Sequence, residues 1–257
     1  MVLYSVKGST LKIIAVVTMM IDHIGACILQ QMLINNGVIT TVAEGIGAIL
    51  TLEGTDKTFG ILWWVMRLII GRISFPIFCF LLVEGFIHTR SVGKYALRLL
   101  IFAIMSEVPF DLAISHYALD IMHQNVFFTL LISLLMLWGL AYTDKRADNI
   151  IINTVTKLIL CSVAMIAAEV LNTDYGAAGV ALILLLYVFR YNRSLQNITG
   201  AVASVLLLGE PAAALSFAFV AMYNGDRGLN LKYLFYLIYP MHLIMLYGVC
   251  IMLGLTG

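Results

Sequence analysis

The chain has 257 residues, of which 62% are hydrophobic and only 11% are charged, whereas a soluble domain carries about 25% charged residues. So few charges cannot cover a water-facing surface, which excludes a soluble enzyme, a disordered chain and a disulfide-linked secreted domain. The formal net charge of +1 argues against a nucleic-acid-binding protein, which would carry a clustered basic excess. The composition is typical of a membrane-embedded protein.

Continuous apolar runs define the predicted membrane segments in chain order. They are Thr10–Ile34, Ile61–His88, Tyr95–Ala113, Asn125–Tyr142, Asn153–Leu171, Ala177–Arg190, Leu195–Leu208, Ala212–Tyr223 and Tyr233–Leu253. The sixth to eighth runs are shorter than the roughly 17 residues that a spanning helix needs. The sequence is therefore compatible with eight to ten spans. We predict one all-α domain over residues 1–257, a polytopic bundle of about nine transmembrane helices with a retained first helix.

The distribution of Lys and Arg predicts the orientation of this bundle. If the N-terminus is inside and nine segments cross, twelve of the 15 basic residues fall at inner helix ends, and Lys57 is the only one in an outer loop. Because basic loops stay on the cytoplasmic side, we expect the N-terminus inside and the C-terminus outside. The expected location is the plasma membrane, with multiple passes.

Several ionisable residues lie inside the predicted spans, where each one is costly and therefore a functional hypothesis. Asp22 and His23 follow Lys12 by about ten residues, which places them roughly 15 Å into the first span. Arg72 and His242 reach a similar depth from their own helix ends. One interpretation is structural, with Asp22 paired to Arg72. The other is proton transfer, because imidazole titrates near neutral pH and a carboxylate can orient it.

Two further polar groups flank this level. Glu107, Asp111 and Asn125 lie further outward and are predicted to meet the acceptor of a reaction. At the inner ends, a basic cluster next to the glycine-containing Asn224–Lys232 turn is predicted to hold the phosphates of a cytosolic cofactor, although inner loops of any membrane protein are basic. The members assigned to the cofactor are Lys12, Lys94, Arg98, Arg227 and Lys232.

Prolines and cysteines complete the pattern. Pro76, Pro109 and Pro240 lie beside the buried polar residues, and we expect helices that bend around a cavity there. All four cysteines lie in apolar stretches without CxxC spacing. They are expected to be buried small hydrophobic residues, so no disulfide and no metal site is predicted.

A set of motifs across five regions resembles the TraX family, named for the conjugation protein that acetylates the N-terminus of F-type pilin. The motifs are Leu11-Lys-Ile-Ile with Met20-Ile-Asp-His-Ile-Gly25; Arg72-Ile-Ser-Phe-Pro-Ile-Phe78 with Leu82-Val-Glu-Gly-Phe86; Tyr95-Ala-Leu-Arg-Leu-Leu100 with Ser106-Glu-Val-Pro-Phe-Asp111; Gln124-Asn-Val-Phe-Phe-Thr129; and Asn224-Gly-Asp-Arg-Gly228 with Tyr239-Pro-Met-His242. The Lys12…His23 spacing is also similar to the first helix of the wider transmembrane acyltransferases. Residues 153–221 carry no recognised motif.

The resemblance implies an acetyltransferase that uses cytosolic acetyl-CoA, with His23 as the base, Asp22 or His242 in support and the basic cluster for CoA. Arg72 would then stabilise developing negative charge. The expected acceptor is an extracytoplasmic amine, such as a peptide or pilin N-terminus, or a hydroxyl. The alternative is a proton-coupled small-molecule transporter, which the absence of an internal repeat disfavours. A scaffold role in a conjugation-type system is third. Expected partners are acyl-CoA, the acceptor and the lipid bilayer, with no nucleic acid.

Overall fold

The computed structural model describes residues 5–38, 49, 52–146, 149–229 and 232–256, with the backbone alone at 232 and 233. The helices are α1 (Gly8–Ile24), α2 (Gln30–Asn35), α3 (Gly54–Val65), α4 (Ser74–His88), α5 (Val92–Ile114), α6 (Val126–Arg146), α7 (Ile150–Val170), α8 (Gly176–Val188), α9 (Arg193–Leu206), α10 (Ser216–Ala221) and α11 (Lys232–Met252). The all-α prediction is confirmed for this part of the chain, where β-type pairing is limited to two isolated bridges.

Five helical segments are long and apolar enough to cross a membrane. They are Gly8–Asn35, Gly54–His88, Val126–Arg146, Ile150–Val170 and Leu234–Met252. Helix α5 has 23 residues but carries four charged side chains, and α8 and the segment Pro211–Ala221 are apolar but shorter. These apolar helices identify a membrane protein. The second segment begins at Gly54, seven residues before the predicted Ile61, and most of the preceding linker lies outside the described residues.

The first two segments are continuous but not uniformly α-helical. A π-helical turn, Gly25–Leu29, joins α1 to α2. A second π turn, Met66–Ile70, and a 3-10 turn, Gly71–Ile73, join α3 to α4. Pro76 follows at the third residue of α4, directly after the 3-10 turn, where its missing N–H removes one hydrogen bond of the continuous helical segment. The predicted distortion near Pro76 is therefore confirmed, and π turns of this kind occur often at functional sites.

The helices pack so that the first and last lie together. Helix α11 packs against α5 and α1, and α1 packs against α4. At the predicted inner end, the Gly8 and Ser9 amides, which begin α1, donate to the carbonyls of Asp226 and Arg227 at 2.7 and 3.0 Å. These bonds satisfy two orphan donors of the helix N-terminus. They also hold the Asn224–Gly228 segment against the start of α1.

Candidate active site

A histidine pair joins the first and last helices of the bundle. His23 Nδ1 on α1 lies 2.6 Å from His242 Nε2 on α11. The two rings are tilted by only 13°, and their centroids are 4.9 Å apart. Because the centroids are so much further apart than the nitrogens, the rings meet edge to edge through an N–H···N hydrogen bond. The sequence predicted both residues at one depth, and the structure brings them into contact.

The hydrogen-bond network assigns the proton positions in this pair. His242 Nδ1 lies 2.8 Å from the Ile238 carbonyl, and a carbonyl only accepts, so Nδ1 carries a proton. In a neutral ring, Nε2 of His242 is then an acceptor, and His23 Nδ1–H donates to it. The same logic leaves a lone pair on Nε2 of His23. His23 therefore has the tautomer that a general base requires, held by His242 and the backbone of α11.

A layer of paired charges lies beside the histidines. Asp22 accepts a hydrogen bond from Arg67 at 2.6 Å, and Arg72 contacts Glu210 at 2.9 Å. Both pairs are largely buried, with every side chain less than one-fifth exposed. The layer holds two acids and two bases, so its formal charges cancel. Cancellation matters because an unpaired charge at this depth would be strongly destabilising.

Two expectations about Asp22 are wrong. It pairs with Arg67 and not with Arg72, because the π turn at Met66–Ile70 carries Arg67 on the side of α1. It also does not orient His23, whose ring nitrogen is bonded to His242 instead. Asp22 and His23 are adjacent on α1, and adjacent residues on a helix point in different directions. Asp22 therefore does not face the His23 ring. Arg72 is directed to Glu210, and Arg67 is the cation whose charge acts on His23.

Glycine allows the charge layer to approach α1 closely. A Cβ atom at Gly71 would overlap the Asp22 carboxyl group. At Gly25, a Cβ atom would lie 3.0 Å from Cγ of Arg67. Small residues of this kind let membrane helices pack at short range. Gly25 and Gly71 therefore allow Asp22 and Arg67 to lie at this short range.

A cavity of about 830 Å³ extends from the basic end of the bundle toward the histidines. Its volume is within the range of small-molecule sites. Four of the five predicted cofactor residues line it, namely Lys12, Lys94, Arg98 and Arg227, together with Arg90 and His88. The side chain of Lys232 lies outside the described part of the structure. The four described side chains thus line one cavity, as the sequence predicted for the inner cations.

The cavity combines cations, aromatic rings and a helix N-terminus. Arg98 donates a hydrogen bond to the Tyr236 hydroxyl, while its Nε atom is buried without a hydrogen-bond partner among the described residues. The Ser91 hydroxyl caps the start of α5 by accepting from the Lys94 amide at 3.3 Å. Helix N-termini and arginine side chains both bind phosphate groups. The mouth of the cavity therefore suits an anionic ligand.

The acidic residue of this cavity is compensated by a neighbouring cation. Glu84 lines the cavity, and Arg193 lies 3.7 Å from its carboxylate. Arg193 also lies over the rings of Phe80 and Tyr223 at 5.0 and 5.3 Å. Arg193 therefore offsets the negative charge of Glu84, and the mouth of the cavity remains positively charged.

The three predicted acceptor residues are close together and have structural partners. Asn125 donates to the Glu107 carboxylate and to the Ala103 carbonyl at 2.9 Å, which ties α6 to α5. Its side-chain oxygen also accepts from the Phe127 amide at the start of α6. The Asp111 carboxylate accepts from the Asp120 amide at 2.8 Å and fastens the following loop. One oxygen each of Glu107 and Asp111 is buried without a hydrogen bond from the described residues.

A second, smaller cavity of about 360 Å³ lies near these residues. His123, Glu169 and Tyr175 are among its lining residues. His123 Nε2 lies 3.8 Å from the Asp174 carboxylate, and this neighbouring negative charge raises the pKa of His123. In the adjoining loop, the Ser115 hydroxyl and the Met122 amide lower the pKa of Asp120. Carboxylates therefore lie in and around this cavity, with Glu169 in its lining and Asp174 beside His123.

Sequence reasoning missed residues in the stretch without a recognised motif. Glu210 pairs with Arg72. Tyr175 hydrogen-bonds Arg72 and stacks on Phe75 with ring centroids 3.6 Å apart. It does so with φ +64°, which is unusual for a bulky residue. Arg67 was visible as a charge within an apolar run, but only tertiary packing identifies the roles of Glu210 and Tyr175.

Together these features define a helical membrane protein with a buried histidine pair beyond a basic cavity. The chain belongs to the TraX protein family, which matches residues 7–250. It is also 29% identical over 204 residues to the "probable fimbrial assembly protein FimC, serogroup H1" of Dichelobacter nodosus, an alignment that covers 69% of this chain and 80% of that protein. No solved structure matches the chain.

Proposed function

We propose that this chain is a multi-pass plasma-membrane acetyltransferase, which moves an acetyl group from cytosolic acetyl-CoA to an extracytoplasmic amine or hydroxyl. One observation carries the proposal. A basic cavity of about 830 Å³ leads toward a buried histidine whose tautomer leaves Nε2 free to accept a proton. Such a base, placed beyond an anion-binding mouth, suits transfer from a phosphate-bearing thioester.

The proposed orientation places the cavity mouth in the cytosol. The mouth residues Lys12, Arg90, Lys94 and Arg227 come from different helix ends and line one cavity. Basic residues remain on the cytoplasmic side of a membrane. We therefore keep the nine-crossing topology, with the short helices α8 to α10 completing it, the N-terminus inside and the C-terminus outside.

In the proposed reaction the acceptor nitrogen bonds to the thioester carbonyl carbon and the C–S bond breaks. Nε2 of His23 takes the proton that the amine loses, and the resulting imidazolium returns it to the departing thiolate. His242 holds His23 in the required tautomer. Arg67, whose charge acts on His23, favours negative charge on the carbonyl oxygen. No serine or cysteine nucleophile is needed.

The acceptor is proposed to enter from the opposite face. Glu107, Asp111 and the smaller cavity beside His123 give that face an acidic character, which suits an amine that is protonated until it reacts. The name of the Dichelobacter relative, a fimbrial assembly protein, supports a pilin-type protein acceptor. Asn125 is proposed to hold the Glu107 carboxylate in place for this role.

The first experiment is acetyl-CoA binding by the purified protein, measured by calorimetry. Arg98→Ala should weaken binding by about 1.5–3 kcal/mol, the value of a lost charge-assisted hydrogen bond. Arg146→Ala is the matched control, because Arg146 is an exposed cation stacked on Tyr142 and does not line the cavity. Wild-type protein that binds no acetyl-CoA, or equal affinities in the two variants, would contradict the proposal.

A second experiment separates the donor from the acceptor. Glu107→Gln should raise the KM for a peptide with a free N-terminal amine and leave acetyl-CoA affinity unchanged. If Glu107→Gln weakens donor binding more than acceptor binding, the two-sided arrangement is wrong, even where transfer itself persists. Proton uptake by proteoliposomes without any acetyl transfer would favour the transporter alternative.

A further inference from the structure

The large cavity ends one helical turn before the histidines. On α1 its lining residues are Gly8, Lys12, Val16 and Met19, which share one face, and His23 continues this face four residues later. On α11 the deepest lining residue is Tyr239, and His242 follows three residues later. Residues three and four apart on a helix are neighbours. The histidines therefore extend both lining faces, but neither of them lines the cavity.

Tyr239 lies at the deep end of the cavity and contacts both histidine rings. Its ring centroid is 5.9 Å from that of His23 and 5.6 Å from that of His242, with the rings edge to face. On its other side, Phe127 packs at 5.0 Å in the same geometry. Tyr239 is only 4% exposed. Its hydroxyl lies near the Val126 backbone amide, and the ring is fixed by packing against Phe127 and the two histidines.

This arrangement limits what can reach His23. The acyl group is the leading end of a CoA thioester whose phosphates lie at the mouth. All carbons beyond the carbonyl must then fit among Met19, Phe127 and the fixed ring of Tyr239. A methyl group needs little space, whereas a longer chain needs the ring to move. Well-packed sites resist each added methylene strongly.

We propose that Tyr239 sets the acyl-chain length of the donor by narrowing the deep end of the cavity beside His23 and His242, so that an acetyl group fits next to its ring and a longer chain does not. This inference rests on the proposed function. It predicts that the aromatic ring, and not the hydroxyl, carries the selectivity. Tyr239→Phe should keep the limit, because the ring still fills the space, and Tyr239→Ala should remove it.

The test measures the binding of S-alkyl-CoA thioethers by calorimetry, which needs no knowledge of the acceptor. Wild type and Tyr239→Phe should bind S-ethyl-CoA at least about tenfold more tightly than S-octyl-CoA. Tyr239→Ala should abolish this ratio, and Tyr239→Val provides the same test if the alanine variant does not fold. Phe235→Ala is the control, because Phe235 lines the same cavity one turn nearer the mouth and should leave the ratio unchanged.

The outcomes separate this inference from the proposed function. If wild type binds neither thioether, the proposed function fails. If wild type binds both thioethers equally, or if Tyr239→Ala and Tyr239→Val keep the wild-type ratio, Tyr239 does not set the chain length, although the acyl-CoA site stands. If Phe235→Ala changes the ratio as much as Tyr239→Ala, selectivity is spread over the cavity and the assignment to Tyr239 is overturned.

Discussion

Replacing His242 tests whether the histidine pair works as a unit. In His242→Ala, the Nδ1–H donor of His23 loses its acceptor at 2.6 Å, and the His23 tautomer is no longer fixed. An unsatisfied buried donor costs about 1–3 kcal/mol. If this cost is added to the activation free energy, where roughly 1.4 kcal/mol corresponds to a tenfold change in rate, the acetyl-transfer rate should be about 5- to 150-fold lower.

The comparison with His23→Ala is the sharper part of this test. His23→Ala removes the base itself and should lower the rate by about 10²- to 10⁴-fold, the usual contribution of a general base. His242→Gln should retain more activity than His242→Ala, because its amide oxygen accepts a hydrogen bond as Nε2 does. Rates would be followed by thiol release from acetyl-CoA in the presence of an acceptor peptide.

The control for these variants is Met241→Ala, on the same helix and 58% exposed, which should behave as wild type. Thermal unfolding would show that each variant is folded. A folded His23→Ala protein with near wild-type turnover would refute the base assignment. Equal losses for His242→Ala and His242→Gln would refute the tautomer argument.

Three further predictions concern packing, pH and topology. Gly71→Ala should lower the Tm, by overpacking worth about 1–3 kcal/mol, whereas Gly248→Ala should not, because nothing lies within 4 Å of its added Cβ. The raised pKa of His123 means that its pairing with Asp174 stabilises the fold fully below the usual histidine pKa of about 6.5 and less as the pH rises through the raised pKa. The Tm should therefore fall as the pH is raised through the pKa of His123, and Asp174→Asn should flatten this fall. Cysteines introduced at Lys145 and Asp56 should differ in intact cells, with only the one at position 56 labelled by an impermeant reagent; labelling of both would overturn the orientation.

The buried polar residues of the first and last helices were predictable, because a charge or histidine in an apolar run stands out and helical rise gives its depth. This reasoning placed His23 and His242 at one level, and the structure joins them. The same reasoning did not identify the ion-pair partner of Asp22. The depth of Asp22 fits Arg72 as well as Arg67, and only the π turn between α3 and α4 decides for Arg67.

The place of Glu210, between two of the short helices, was beyond sequence reasoning for a different physical reason. Glu210 follows a glycine and precedes Pro211, and this pattern predicts an ordinary turn. The structure inserts that turn beside Arg72. Insertion depends on the packing of α9 and α10 against the remaining bundle, which no local pattern encodes. The inner cations are the opposite case, since their positions at helix ends were sufficient to predict that Lys12, Lys94, Arg98 and Arg227 line one cavity.

The two histidines are separated by 219 positions in the chain, and this has a consequence for biosynthesis. A ribosome delivers His23 into the membrane long before His242 is translated. During that interval the first helix carries a histidine without its partner, and its start is not yet capped by the carbonyls of Asp226 and Arg227. The pair, the cap and the cavity wall formed by Tyr236 and Tyr239 all arrive with the final helix. An incomplete chain therefore lacks the histidine pair, and the base proposed above is complete only once α11 has inserted.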